Sequence, residues 1–258
     1  MAEQSMNLPT AAMKPPPTAA SASGFGATSS ELIYGRKYVW EWPVRLSHWM
    51  TALSLSVLFA SGLYIANPVL APNGEPAFHF VMGRVREIHF AAAYVLFFSF
   101  LLRSYWFWVG NNYARSGFPF VWRRSWWQDL RRQGTLYLGL ERGRVHLGHN
   151  ALAGLAYTTF VIFLGWADIL TGFAIYSETK PGGFWDHALG WIVPLLGGSY
   201  QARMWHHMLA WTFVVFLIIH LYIVFFDSHQ YKNGLISSIV SGYKFYEKGD
   251  IDVDRWAS

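Results

Sequence analysis

Cysteine is missing from all 258 residues. Its absence excludes disulfides, cysteine-ligated iron–sulfur clusters and thioether-attached c-type haem. Charge is scarce as well. Asp, Glu, Lys and Arg make up 14% of the chain, against about a quarter in a soluble domain. The first thirty residues lack a basic start followed by an apolar run, so they do not read as a secretory signal. They are rich in Ala, Pro, Ser, Thr and Gly, with a Pro15-Pro16-Pro17 run, and have no face to bury. Disorder is expected there.

What the chain does have is apolar surface, 53% of residues, of which many are aromatic. The hydrophobicity falls in blocks. Fourteen Trp and fourteen Tyr suit belts at two lipid–water interfaces. The expected fold is all-α, an integral membrane four-helix bundle. A helix of about 20 apolar residues crosses a bilayer, and four stretches qualify: about 46–66, 87–109, 150–176 and 204–226. Pro43 stands where the first helix can begin. Asn67-Pro68, Gly110-Asn111-Asn112 and Lys180-Pro181-Gly182-Gly183 end the first three spans, and Pro72, Asn73, Gly74 and Pro76 mark a loop. The segment Phe184 to Leu196 is aromatic but broken by Gly190 and Pro194, too short to cross, and is expected to lie at an interface. The expected organisation is a tail over 1–36, a transmembrane domain over 37–246 and a second tail over 247–258.

Loop charge orients the bundle. Arg115, Arg123, Arg124, Arg131, Arg132, Arg142 and Arg144 lie between spans two and three. Arg36, Lys37 and Arg45 precede span one, and Lys232, Lys244 and Lys248 follow span four. The alternate loops hold little beyond Arg84, Arg86, Lys180 and Arg203. The positive-inside rule therefore places both termini of a multi-pass protein in the cytoplasm. The arginines already serve topology and anionic headgroups, so no nucleic-acid partner is read from them.

The histidines sort by helix and depth. His206 and His220 share span four, fourteen positions apart, which gives roughly 21 Å of rise and about 40° of rotation. His48 begins span one and His89 begins span two. The expected pairs are His89 with His206 near the outer surface and His48 with His220 near the inner one. Two imidazoles per leaflet are what two bis-histidine b-type haems require, and a haem so ligated has no open position for substrate and transfers electrons. Arg45, Arg86 and Arg203 each stand three residues before a ligand candidate, on the same helix face, where each can pair with a haem propionate or snorkel to the surface. His207 points about 100° away from His206. His79, His187 and His229 are read as solvated. His146 and His149 flank span three, and His149 with Asn150 can hydrogen-bond a quinone, or Asn150 can simply cap the helix.

These motifs resemble the b-type cytochrome subunit of membrane-bound nickel–iron uptake hydrogenases, over about 38–246. The first motif reads Arg45-Leu-Ser-His48-Trp49 and closes on Ser61-Gly62, where the family has Thr-Gly. The second runs from Arg203 through Trp211 to His220. Met82-Gly83 to His89, Trp122 to Trp127, Gly148-His149-Asn150 and Thr171 to Glu178 are similar too. Cytochromes of formate dehydrogenases are more distant relatives, and the alternative within this class is the same scaffold serving a formate or other periplasmic dehydrogenase. The resemblance implies a periplasmic hydrogenase whose small and large subunits hold the [NiFe] chemistry, electron delivery to an outer and then an inner haem b, and a mobile quinone as acceptor. It also implies that the chain has no catalytic centre of its own. Outside this class, a haem-free anchor or a transporter with proton-relay histidines also fits the composition.

Overall fold

Every seventh residue of span one is a serine on one side: Ser47, Ser54 and Ser61, all buried. Small residues let two membrane helices approach closely, and this seam is where span two packs. The computed structural model describes residues 34–69, 80–139 and 147–247. Helix α1, Trp42–Ala66, carries Pro43 in its first turn, where the missing N–H costs nothing. Helix α2, Val81–Val109, lies antiparallel to it. Thr51 Oγ1 and Ser99 Oγ are 2.8 Å apart, and Ser99 Oγ donates to the Ser47 carbonyl at 2.8 Å. The α2 helix begins six residues before the expected start because Arg84 and Glu87 pair on its exposed side at 3.0 Å. Polar residues at a helix end need not enter lipid.

The third span, α5, covers Ala151–Ser177. It follows two helices in the segment between spans two and three: α3, Asn112–Arg115, and α4, Arg124–Tyr137. The α4 helix is amphipathic and buries Trp126, Gln133, Leu136 and Tyr137. From Tyr157 to Gly165, α5 widens into a π-helical stretch, a departure often found at functional sites. Two short helices follow, α6 at Phe184–Leu189 and α7 at Ile192–Leu195, in the segment expected to be interfacial. The fourth span, α8, runs Ser199–Tyr231 and extends about five residues past both expected ends. Among the described residues, four helices are thus long and apolar enough to cross a membrane, and their outward residues, such as Leu53, Phe98, Ile218 and Phe225, are exposed, as lipid-facing residues are.

One feature departs from the all-α expectation. Tyr34–Tyr38 forms strand β1, antiparallel to β2 at Tyr243–Glu247, after a short helix α9 at Leu235–Ser241. Both segments begin on a tyrosine and together hold five aromatic residues, a type that favours strands. Tyr38 meets Tyr243 at 5.0 Å, and the Arg36 guanidinium lies 4.4 Å from the Tyr243 ring centroid. Residues 34–36, assigned above to the tail, belong to this strand. The expectations for residues 1–33, the loop over 70–79 with His79, residues 140–146 with Arg142, Arg144 and His146, and 248–258 fall outside the described residues.

Candidate functional site

Three of the four spanning helices bring four imidazoles to two depths. Near the strand-paired end, the rings of His48 on α1 and His220 on α8 lie 6.2 Å apart, centroid to centroid. Two metal–nitrogen bonds of about 2 Å put the centroids of facing imidazoles roughly 6 Å apart. Phe216 stacks on His220 from the same helix at 5.5 Å. Phe59 meets Trp211 at 5.4 Å, so α1 and α8 run antiparallel in a constant register. That register carries Ser61 to the level of residues 207–209. Ser61 in turn touches His89 at 2.8 Å. His89 and His206 therefore share the second depth. Fourteen residues of α8 separate the two levels, about 21 Å.

The second pair is held by hydroxyls. Ser61 Oγ donates to the Val57 carbonyl at 2.6 Å, and the same oxygen lies 2.8 Å from His89 Nδ1. Its single hydrogen being used, it accepts from Nδ1–H. Thr171 repeats the arrangement: Oγ1 donates to the Ala167 carbonyl at 2.9 Å and lies 3.2 Å from His206 Nδ1. The Asp168 carbonyl accepts from the same Nδ1 at 3.1 Å. Both rings are thereby fixed as the Nδ1–H tautomer, with the Nε2 lone pair left for a ligand. A glycine follows each hydroxyl. A Cβ at Gly62 would stand 3.4 Å from His89 Cε1, and one at Gly172 would stand 3.0 Å from His206 Cε1. These donor sets fit a low-spin haem iron with two neutral imidazoles.

Residues 39–242 match the model of the family described as prokaryotic cytochrome b561. The chain belongs to the prokaryotic cytochrome b561 family. Curated relatives of this b561-family cytochrome are named probable Ni/Fe-hydrogenase B-type cytochrome subunits. The one from Azotobacter chroococcum is 40% identical over 81% of this chain and 89% of its own. That from Cupriavidus necator is 38% identical over 88% and 95%, and that from Escherichia coli K12, a Ni/Fe-hydrogenase 1 subunit, 35% over 83% and 93%. The family expected from the motifs is borne out. Its prosthetic group, as for any b-type cytochrome, is haem b.

The structure places the remaining candidate residues of the cytochrome unevenly. Arg203 pairs with Glu178 at 2.7 Å and also reaches Ser199. Arg45 donates to the Val240 carbonyl, and Arg86 is exposed. His207 is exposed and accepts from Trp211 Nε1 at 3.1 Å. Asn150 caps α5: Oδ1 accepts from Ala153 N at 2.8 Å, and Nδ2 donates to Tyr137 Oη at 3.0 Å. His149 packs between Trp40 at 5.0 Å and Tyr157 at 5.6 Å. Ser116 Oγ donates to the Tyr113 carbonyl at 2.7 Å and accepts from the His149 backbone N–H and Nδ1–H, each at 3.0 Å. Burial, then the charges of Arg103 and Lys244, then His220, pull His149 from 6.5 down to about 3. It is neutral at physiological pH, with Nε2 an acceptor.

Sequence reasoning passed over Ser61 and Thr171 as supports for histidines, and Asp168 and Arg103 altogether. The signal was available for the first two, as a hydroxyl–glycine dipeptide recurring in spans one and three. Arg103 is buried in α2. Its Nη2 donates to the Ala114 carbonyl at 2.8 Å, and its guanidinium lies 4.9 Å from the Tyr157 ring centroid.

Proposed function

We propose that this cytochrome is the membrane electron-transfer subunit between a periplasmic nickel–iron hydrogenase and the quinone pool, with one haem b held by His89 and His206 and a second by His48 and His220. Bound haem supplies one-electron chemistry, and bis-imidazole ligation leaves no position for substrate. The observation that carries this reading is the arrangement of four histidines as two depth-matched pairs, 6.2 Å between the rings at His48 and His220 and hydroxyl-fixed rings at His89 and His206. The relatives' names supply the hydrogenase. Both termini are assigned to the cytoplasm, because Arg115, Arg123, Arg124, Arg131 and Arg132 flank the strand-paired end. The His89 and His206 pair then faces the periplasm and the electron donor.

The quinone belongs beyond the other pair, at His149. An acceptor Nε2 there suits the hydroxyl of a quinol. Asn150 contributes by shaping the turn, since its amide is already engaged. The cavity against His149 itself holds about 10 Å³, room for a water. A larger one of about 230 Å³ is lined by Ser104, Phe107, Tyr157 and Trp166 among others, and shares Tyr157 with the packing around His149.

A haem-to-protein ratio with a reduced-minus-oxidised visible spectrum tests the core of this reading. Two b-type haems per chain are expected, with the [NiFe] subunits copurifying. A ratio of one, or folded protein that takes up no haem, refutes it.

A further inference from the structure

Asp168 stands on α5 with 8% of its surface exposed, inside a span where an ionisable group is costly. Its Oδ1 lies 2.9 Å from His206 Nδ1. The N–H is aimed at the Asp168 carbonyl and Thr171 Oγ1. The carboxylate oxygen sits beside that axis and makes no hydrogen bond of its own. A carboxylate is thus held against one axial imidazole without being needed to orient it.

The other pair has the opposite surroundings. His48 Nδ1 is buried without a partner. Around His149, the Arg103 guanidinium lies 4.9 Å from the Tyr157 ring centroid and Lys244 Nζ 5.4 Å from that of Trp40, the two rings between which His149 packs. Oxidised haem iron carries one more positive charge than reduced haem iron. A fixed negative charge nearby favours the oxidised form, and fixed positive charges favour the reduced one. In a low-dielectric interior such charges act over several ångströms. A carboxylate beside a metal-bound imidazole also raises the basicity of that ligand, in the same direction.

We propose that Asp168 sets the haem at His89 and His206 to a lower reduction potential than the haem at His48 and His220, so that electrons settle at the inner site. This rests on the haem placement given under Proposed function. The change at each iron is one electron, and Asp168 takes part as a fixed charge.

The test is a potentiometric titration of the full-length, haem-loaded protein, followed by visible spectra and by the electron paramagnetic resonance of the low-spin ferric haems. Asp168→Asn removes the charge at constant size. It should raise the reduction equilibrium constant of one haem by roughly tenfold or more, shift that haem's resonance and leave the other haem unmoved. Asp168→Glu should restore most of the difference. Asp168→Ser is a second neutral variant, and loss of that haem from both neutral variants would overturn the proposal in favour of a purely structural role. Unchanged potentials in Asp168→Asn, or both haems moving alike, would overturn it too. Should His48→Ala and His206→Ala remove the same spectral component, the haem placement fails and takes this proposal with it. Two separable haems with unmoved potentials sink the proposal alone.

Discussion

The hydroxyl of Ser61 on α1 lies 2.8 Å from Nδ1 of His89 on α2, and its hydrogen is already given to Val57. One serine therefore fixes both the tautomer and the orientation of a histidine on another helix. Partners of this kind, which hold a ligand rather than the metal, typically change metal affinity by about 10–100-fold when removed. Ser61→Ala should weaken haem retention at the His89 site by that order, and Ser61→Thr should keep it. Haem loss on dilution, followed spectroscopically, checks this. Equal retention in Ser61→Ala would show that the hydroxyl has no part in holding the ligand.

The pairing makes a separate statement. His89→Ala and His206→Ala should each delete one and the same haem component, and His48→Ala and His220→Ala the other. Low-temperature difference spectra distinguish the components. If His48→Ala and His206→Ala deleted the same one, the depths assigned to α1 and α8 would be wrong.

The glycines after the two hydroxyls are not equivalent. A methyl group at Gly62 would meet His89 at an ordinary 3.4 Å, but at Gly172 it would press His206 at 3.0 Å. Gly62→Ala should be nearly silent in the haem spectrum. Gly172→Ala should displace the His206 ring and change the resonance of its haem, with overpacking of about 1–3 kcal/mol if the ring cannot yield. Equal spectra for both variants would contradict the difference in clearance.

His149 gives a pH dependence of definite sign. Its folded value, about 3, is below the ordinary 6.5. Between those limits the unfolded chain takes a proton that the folded one refuses, so stability rises with pH across the window. The contribution is complete above 6.5 and is lost as pH falls towards 3. His149→Gln should flatten the profile of thermal midpoint against pH between these limits, and an unaltered slope would remove His149 from that role. Asn150→Ala, by contrast, should cost about 1 kcal/mol of cap stability at every pH and leave both haems in place.

The hydrogenase proposed as partner would dock on the segment after span three, and the structure divides its tryptophans. Trp185 stacks on Phe173 at 4.2 Å and donates to Tyr94 Oη at 2.8 Å, so it belongs to the packing of the bundle. Trp191 and Phe184 are 59% and 75% exposed. Trp191→Glu and Phe184→Glu should loosen the complex on copurification with unchanged haem spectra. Trp185→Glu should destabilise the cytochrome itself. Undiminished copurification in the first two variants would place the contact elsewhere.

Four spans, their order and the four histidines were legible in the residues alone, because bilayer thickness imposes a length on apolar runs and an ionisable side chain within one stands out. Helix periodicity also supplied the 14-residue relation of His206 and His220. The helix ends were less legible. Arg84 with Glu87 and Arg203 with Glu178 neutralise each other, and such pairs extend a helix past the apolar run by which a span is recognised. The β1–β2 pair was missed because it joins segments about 200 residues apart, and neither strand can be stable alone.

Composition and periodicity thus determined that this is a polytopic helical membrane protein with imidazoles at two depths. The tertiary structure decided which hydroxyl holds which imidazole, that Asn150 is spent on a helix cap, and that Asp168 lies beside His206 while Arg103 and Lys244 lie near His149. Hydrogen bonds and charge–charge contacts depend on the register and rotation of one helix against another. That information exists only once α1 has packed on α2 and α5 on α8.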